Sequence, residues 1–217
     1  KRTRQSSPIA DLGSAEPGQL VLAEPGRTPR SGVKVVEVLG DPLAPKSFSL
    51  IAIHKYGIPH VFREEALAEA EAAAKLPLSE QDREDLRHLP IVAIDPVDAR
   101  DHDDAIWAEP DGEGGFYAVV AIADVSFYVR PGSELDREAR ARGNSVYFPD
   151  RVVPMLPEEL SADICSLKEG QVRAAMACHL KITKDGTLKS WRFTRAKICV
   201  AANIAYEDAQ AAIDAVT

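Results

Sequence analysis

The chain has 217 residues, of which 45% are hydrophobic and 28% are charged, and its formal net charge is −8 at pH 7. This composition is typical of a globular protein, and a chain of this length can bury a core without disulfides. No apolar run reaches the roughly 18 residues that a membrane-spanning helix needs, so we expect no membrane partner. The net negative charge by itself argues against binding to nucleic acid through overall electrostatic attraction.

The charge is unevenly distributed along the chain. Residues 1–60 carry eight basic and five acidic side chains, whereas residues 61–110 carry five basic and fourteen acidic ones. Residues 111–217 are close to balanced, with thirteen basic and fifteen acidic side chains. The acidity is therefore concentrated in one block of fifty residues, and it follows a slightly basic region.

The cysteines and the first residues indicate a cellular setting. Cys165, Cys178 and Cys199 are odd in number and have apolar neighbours, which is typical of reduced core thiols in a cytoplasmic protein. The chain begins at Lys1 without a methionine, and no apolar stretch follows its basic residues as it would in a signal peptide. We therefore expect a cytoplasmic protein and interpret the chain as a piece of a longer one.

The first ninety residues predict a small β-structure followed by helices. Three apolar runs separated by Gly/Pro turns predict strands and an incomplete barrel of the OB type; they are "GQLVLAE", "GVKVVEVLG" and "KSFSLIAIHKYGIP". The Ala- and Glu-rich residues 62–76 predict a helix. A second helix is predicted over residues 78–89, with Ser79 as its N-cap. Residues 61–89 are accordingly predicted to form a helical connector.

From residue 90 the pattern predicts an antiparallel α+β fold. The expected elements are a buried strand at 89–95, a hairpin over 104–129 with its turn at 110–115, a helix at 134–143 capped by Ser133 and ended by Gly143, a strand at 145–150, a helix at 157–167, a long hairpin over 173–202 turning at Asp185 and Gly186, and a helix at 205–216. No internal repeat interrupts this order.

The stretch "IDPVDARDHDD", residues 94–104, contains five aspartates in eleven residues. Carboxylates this close repel one another, so the cluster is not explained by stability. Clustered carboxylates are typical ligands of hard divalent cations, chiefly Mg²⁺, Mn²⁺ or Ca²⁺. Several carboxylates also suit two ions about 3.5–4 Å apart, which clamp the attacking and leaving oxygens of a displacement at phosphorus.

Other interpretations of the aspartates fit less well. A calcium-binding EF-hand that starts at Asp101 would need Gly and Glu where the chain has Ile106 and Gly112. A metal-dependent phosphohydrolase with a His-Asp pair would need more histidines at ligand spacing, and the nearest, His88, stands alone before a strand. An acidic surface loop would explain the charge but not the two strongly apolar strands around it.

The motif and its surroundings resemble a known family. The stretch "IDPVDARDHDDAI" is similar to the signature of the ribonuclease II/ribonuclease R (RNB) family of 3′-to-5′ exoribonucleases. Three further segments resemble the catalytic domain of that family: "VAIADVSFYV", "LDREARARGNSVYFPDRVVPMLPEELSADICSL" and "RAAMACHLKITKDGTL". Upstream, "KVVEVLGDPLAPKSFSLIAIHKYGIPHVF" resembles the end of a second cold-shock domain, in particular that of the ribonuclease R branch.

The resemblance implies a domain order and a set of acidic site residues. Residues 1–60 would be part of a cold-shock, OB-like barrel, and residues 90–217 would be the N-terminal part of the RNB catalytic domain. The four acidic positions of the family fall on Asp95, Asp101, Asp103 and Asp104, whereas Asp98 is not one of them. These four are implied to be catalytic and to hold Mg²⁺, with Mn²⁺ as a substitute.

The resemblance also implies two tyrosines that contact RNA. Tyr147 falls on the tyrosine that stacks against a base, although the residue pattern alone favours a core tyrosine of a strand. Tyr206 falls on a tyrosine linked to ribose recognition. It is preceded by Ile204 and Ala205, where the family more often has Leu and Thr.

The implied activity is processive hydrolysis of single-stranded RNA from its 3′ end, with release of nucleoside 5′-monophosphates. In the family, an arginine and a glutamate that complete the active site correspond to positions beyond Thr217. The alternative is therefore that these residues form a non-catalytic fragment that binds RNA or metal without turnover.

Overall fold

The computed structural model describes residues 6–28, 31–78 and 82–216. The strands in chain order are β1 Ile9–Asp11, β2 Leu20–Pro25, β3 Val33–Gly40, β4 Glu84–Asp85, β5 Val92–Asp95, β6 Asp104–Pro110, β7 Phe116–Ala123, β8 Val146–Tyr147, β9 Val152–Val153, β10 Val172–Ile182, β11 Leu188–Cys199 and β12 Ala202–Ala205. The helices are α1 Pro45–Tyr56, α2 Glu64–Ala74, α3 Val125–Tyr128, α4 Glu134–Arg142 and α5 Tyr206–Val216, with a π-helix at Leu160–Ile164. Within the described ranges, no helix combines the length and the apolar character needed to cross a membrane.

The chain divides into two compact units. The first takes the residues up to Val61 together with Ser145–Val153, and the second takes Phe62–Asn144 together with the residues from Pro154 onward. The division of the sequence into regions 1–60, 61–89 and 90–217 stays a prediction.

The first unit contains an open three-stranded sheet rather than a closed barrel. Its strand order is β1-β3-β2, with β1 parallel and β2 antiparallel to β3. The unit also contains α1 and the separate two-stranded β8–β9 ladder. The predicted strands near residues 20 and 35 are thus confirmed as β2 and β3.

The prediction of a strand at 46–59 is wrong, because this segment forms helix α1. Pro45 occupies the first turn, where its fixed φ suits a helix. Its missing N–H costs no hydrogen bond there, because amides of the first turn have no partner within the helix. Gly57 ends the helix in the left-handed conformation with φ of 62°, which favours glycine. Ile53 is buried, and the Ser47 hydroxyl donates a hydrogen bond to the Asp41 carbonyl oxygen at 2.5 Å. These end signals outweigh the strand propensity of the apolar residues between them.

The second unit is built on a seven-stranded sheet in the order β12-β5-β6-β7-β10-β11-β4. The five central strands, from β5 to β11, are antiparallel neighbours, which confirms the antiparallel α+β fold. At the two edges β12 pairs in parallel with β5, and β4 pairs in parallel with β11. These edge pairs join segments that are distant in sequence, so local pattern did not indicate them.

Small side chains shape the core of the second unit. Paired positions on β6, β7 and β10 carry buried alanines, namely Ala105, Ala121 and Ala177. Helix α2 carries buried alanines one helical turn apart, at Ala66, Ala70 and Ala73. All of them belong to one hydrophobic cluster with larger residues such as Leu160 and Leu167. The alanine-rich sequence of α2 therefore reflects close packing as well as helix propensity.

The predicted helix over 78–89 is wrong, and its proposed N-cap, Ser79, lies outside the described residues. Residues 84 and 85 instead form β4, and the Leu86 amide donates to the Lys197 carbonyl oxygen at 2.9 Å. The Glu84 carboxylate accepts two hydrogen bonds from Arg192, each 2.9 Å long. These contacts span more than one hundred residues, so tertiary structure overrides the helical charge pattern here.

Most other predicted elements are confirmed. The hairpin β6–β7 turns where expected, α4 is capped by the Ser133 hydroxyl, which accepts from the Asp136 amide, and Gly143 ends it. The hairpin β10–β11 and the last helix, α5, also match. Two details differ: the end of the predicted second hairpin strand is the short helix α3, and the helix predicted at 157–167 is largely π-helical.

Candidate active site on the aspartate loop

The four candidate aspartates lie at the ends of one strand–loop–strand segment of the second unit. Asp95 is the last residue of β5, and Asp104 is the first residue of β6. Asp101 and Asp103 lie on the connecting loop, which we call the aspartate loop and define as residues 96–103. Because β5 and β6 are antiparallel neighbours, the last residue of β5 and the first residue of β6 lie at the same end of the strand pair.

Backbone hydrogen bonds fix the end of the aspartate loop. The Ala123 amide, at the end of β7, donates to the Asp103 carbonyl oxygen at 2.8 Å. The Leu167 amide donates to the His102 carbonyl oxygen, also at 2.8 Å. The position of Asp103 therefore depends on two segments that are distant in sequence.

His102 contacts one of the aspartates. Its Nδ1 lies 2.7 Å from Oδ2 of Asp95, and both side chains are mostly buried. An ionised carboxylate only accepts hydrogen bonds, so the ring N–H is the donor. The residue pattern around His102 argued against a His-Asp metal motif and did not indicate this contact with Asp95. The only signal for it in the sequence was its place between two aspartates.

The four carboxylates interact electrostatically. Burial raises the pKa of Asp103, and the negative charges of Asp101, Asp104 and Asp95 raise it further, while His102 acts in the opposite direction. By its surface area Asp103 is nevertheless an exposed residue. A carboxyl group whose pKa is raised by like charges holds its proton more tightly, and a nearby cation reverses that effect.

The donor chemistry fits a hard divalent cation, since the four carboxylates offer oxygen ligands. Mg²⁺ keeps several waters and needs only one or two carboxylates from the protein. Within the part of the chain that the structure describes, no three or more His, Cys, Asp or Glu side chains converge as a ready-made metal cage. The fit thus rests on ligand type and on the mutual repulsion of the carboxylates.

The two candidate RNA-binding tyrosines lie in different units. Tyr147 belongs to β8 in the first unit, and 64% of it is exposed, so it is not a core residue of the described structure. Tyr206 opens α5 in the second unit and is also exposed. It follows Ala205, which pairs directly with Asp95 across the parallel β12–β5 ladder. The fold therefore places the backbone of Tyr206 next to the end of β5 that carries Asp95.

A pH titration tests the coupling among the carboxylates. In the metal-free chain we expect the Asp103 carboxyl to titrate above the usual aspartate range, and Asp101→Asn to lower its pKa because one neighbouring negative charge is removed. Carboxyl ¹³C NMR measures both. Asp98→Asn, on the same loop but outside the four, is the matched control and should leave the pKa of Asp103 nearly unchanged. Equal effects of the two substitutions would contradict the proposed coupling.

Comparison with known proteins adds independent information. An RNB domain matches residues 83–217, and a cold-shock domain matches residues 1–63. Ribonuclease R of Acidithiobacillus ferrooxidans is 44% identical over 201 residues, which cover 89% of this chain and 45% of that protein. The chain thus spans less than half the length of this curated relative.

Solved structures give the same result. Mycoplasma genitalium RNase R in complex with double-stranded RNA has a TM-score of 0.83 at 28% identity, covering 96% of this chain and 39% of that one. Its complex with ribose-methylated single-stranded RNA has a TM-score of 0.76 at 32% identity, covering 87% and 30%. Yeast Ssd1, a pseudonuclease, shares the fold at 20% identity with a TM-score of 0.70, covering 91% and 26%. The chain therefore belongs to the RNB family, the family of ribonuclease R, and joins cold-shock sequence to an RNB domain.

Proposed function

We propose that the complete gene product hydrolyses single-stranded RNA processively from its 3′ end and releases nucleoside 5′-monophosphates. The observation that carries this proposal is the group of four electrostatically coupled aspartates on one strand–loop–strand segment of an RNB domain. Similarity to ribonuclease R, including a form solved with single-stranded RNA, supports the reaction and the substrate class.

In this proposal Asp95, Asp101, Asp103 and Asp104 hold Mg²⁺, with Mn²⁺ as a substitute. When bound, the cation polarises the scissile phosphodiester and lowers the pKa of the attacking water. We assign Asp103 the role of accepting a proton from that water, because its carboxylate interacts with those of Asp101, Asp104 and Asp95 and would therefore lie near the water that the cation activates. His102 orients Asp95 through the 2.7 Å contact between Nδ1 and Oδ2.

The tyrosines are proposed to hold the RNA. Tyr147 stacks against a base of the substrate, and Tyr206 contacts a ribose. Base stacking on an aromatic ring contributes about 1–3 kcal/mol per base and does not depend on sequence, which suits an enzyme that accepts every 3′ end. The exposure of both rings supports these roles. The three free cysteines fit a protein of the reducing cytoplasm.

A time course on RNA tests the proposed activity. The complete gene product is incubated with 5′-labelled single-stranded RNA and Mg²⁺, with and without a chelator, and products are resolved on a gel and identified by mass spectrometry. We expect shortening from the 3′ end, nucleoside 5′-monophosphates, and no reaction in the chelator. Internal cleavage would contradict the proposal.

The alternative is a non-catalytic module that binds RNA or metal. The observation in its favour is the similarity in fold to yeast Ssd1, which is a pseudonuclease. A protein can therefore have this fold without nuclease activity. This alternative predicts that the RNA stays intact in the same time course and that the protein retains it in a separate filter-binding measurement.

Substitution of Tyr147 tests the stacking role. We expect Tyr147→Ala to weaken binding of the RNA 3′ end by about 1–3 kcal/mol and to change the length of the final product, whereas Tyr147→Phe keeps the ring and does far less. Product lengths on a sequencing gel measure this. Tyr56→Ala removes another exposed tyrosine of the first unit and is the matched control. Unchanged products for Tyr147→Ala would exclude the stacking role.

A further inference from the structure

Ser166 contacts the aspartate loop although it is sixty-four residues away from it in sequence. Its side chain is fully buried. The hydroxyl Oγ accepts a hydrogen bond from the His102 amide at 3.1 Å and donates one to the Arg100 carbonyl oxygen at 2.9 Å. These two groups belong to the peptide units immediately before and after Asp101. One hydroxyl therefore bridges the backbone on both sides of a candidate cation ligand.

The residue next to Ser166 adds a third contact with the loop. The Leu167 amide donates to the His102 carbonyl oxygen at 2.8 Å, and the Leu167 side chain is fully buried. Ser166 and Leu167 together thus bond to three consecutive peptide units of the loop, from the one that precedes Asp101 to the one that precedes Asp103. The loop has no regular secondary structure, so its conformation depends on such contacts.

Ser166 is itself held in place by the sheet. Arg173, on β10, is buried and donates from Nε to the Ser166 carbonyl oxygen at 3.0 Å. Its Nη2 donates to the Asp163 carbonyl oxygen at 3.3 Å. The Ser166 amide donates to that same Asp163 oxygen at 3.0 Å. The turn that carries Ser166 is therefore bonded to the central sheet on one side and to the aspartate loop on the other.

This arrangement matters because the loop carries mutually repelling carboxylates. Without the hydrogen bonds from Ser166 and Leu167, the loop would populate conformations in which the carboxylates lie farther apart. A cation that binds only the closed conformation then binds more weakly, in proportion to the fraction of molecules that are closed. Groups that orient metal ligands through hydrogen bonds, without contacting the metal themselves, typically contribute about 10–100-fold to metal affinity or activity.

We propose that Ser166 is a positioning residue, which fixes the backbone around Asp101 and holds the aspartate loop in its cation-binding conformation. The proposal rests on the proposed function for the identity of the cation, and it adds a residue that lies outside the aspartate motif. Its hydroxyl is the group that matters, because an alanine would fill nearly the same space and leave two backbone groups of the loop without this partner.

The test compares Ser166→Ala with Ser161→Ala in the complete gene product. Ser161 lies on the adjoining π-helix, and its hydroxyl donates to the local carbonyl oxygens of Leu156 and Pro157, at 3.3 and 3.4 Å. Three properties are measured: hydrogen exchange of the peptide that contains His102, Mn²⁺ affinity by calorimetry, and kcat and KM for single-stranded RNA.

For Ser166→Ala we expect faster exchange at His102, Mn²⁺ affinity about 10–100-fold weaker than in Ser161→Ala, and an unchanged KM for RNA. Excess Mn²⁺ should restore much of the lost kcat. Equal Mn²⁺ affinity in the two variants would overturn the proposal, even if Ser166→Ala lowered the melting temperature. If Ser166→Ala does not fold, Ser166→Cys fills the site with a poor hydrogen-bonding group. Its Mn²⁺ affinity is then compared with that of Ser161→Ala, and equal affinities would again overturn the proposal. A wild-type protein that does not degrade RNA would refute the proposed function, while exchange and Mn²⁺ affinity would still decide the role of Ser166.

Discussion

Replacing Asp103 with asparagine is expected to lower kcat of the complete gene product on single-stranded RNA by roughly 10²–10⁴-fold, the usual range for a catalytic proton acceptor. Asparagine has nearly the same shape but cannot accept the proton. RNA affinity should stay within several-fold, because phosphate and stacking contacts elsewhere carry most of the binding. Single-turnover kinetics and filter binding measure the two quantities separately.

Asp98→Asn is the matched control for this substitution. Asp98 lies on the same loop and is exposed, and the proposal gives it no role. We expect its kcat to match the wild type. Parallel losses of kcat and RNA affinity in Asp103→Asn would contradict the division of roles, and so would equal losses of kcat in Asp98→Asn and Asp103→Asn.

We also expect a large change in stability when a buried ion pair is broken. The Arg83 guanidinium and the Asp124 carboxylate form an ion pair at 2.7 Å, and each side chain is at most 3% exposed. Burial tends to raise the pKa of Asp124, but hydrogen bonds from Ser126 and Arg83 outweigh it, so the pKa lies below the usual value. Arg83 also lies over the Phe127 ring, 5.0 Å from its centroid. The pair is thus enclosed on several sides.

Asp124→Ala is expected to lower the free energy of unfolding by about 3–5 kcal/mol, because it leaves the Arg83 charge buried without its partner. Urea unfolding of the chain can be followed by fluorescence of Trp107 and Trp191, which both lie in the second unit. Arg83→Met combined with Asp124→Leu should cost less than the two single changes together, since no charge is then left unpaired. A loss no larger than that of the surface control Asp98→Ala would contradict this account.

The same pair predicts a direction of pH dependence. A carboxyl group with a lowered folded pKa stabilises the fold above its unfolded pKa, and that contribution is lost as the pH falls through the folded pKa. The wild-type chain should therefore lose stability on acidification below the ordinary aspartate range. The double variant should lose less over the same interval.

Local sequence signals predicted the elements that local forces determine. Helix α2 and the hairpins β6–β7 and β10–β11 follow from alanine content, alternation and turn residues, which act over a few positions. The strand prediction for 46–59 is wrong because the apolar, β-prone residues of this segment form a helix whose ends are set by Pro45 and Gly57. At 82–89 the helical charge pattern was overridden by partners such as Lys197 and Arg192, which no local window contains.

In the candidate site, too, the sequence indicated some features, whereas others required the structure. The aspartates could be found from sequence, because their density is unusual and has a chemical reason. The bond between His102 and Asp95 and the bridge from Ser166 could not be found, since they depend on how a loop folds against a distant turn. The exposure of Tyr147 likewise required the structure, because the residue pattern alone favoured a core position.

A calorimetric titration of the metal-free gene product tests whether these aspartates hold a divalent cation for catalysis. We predict that Mn²⁺ and Mg²⁺ bind to the wild type and to Asp98→Asn, and that Asp101→Asn weakens both, because oxygen ligands favour these ions. Binding of Mn²⁺ that is the same in Asp101→Asn and in the wild type would contradict the claim, and so would a preference for Zn²⁺, which favours nitrogen and sulfur ligands.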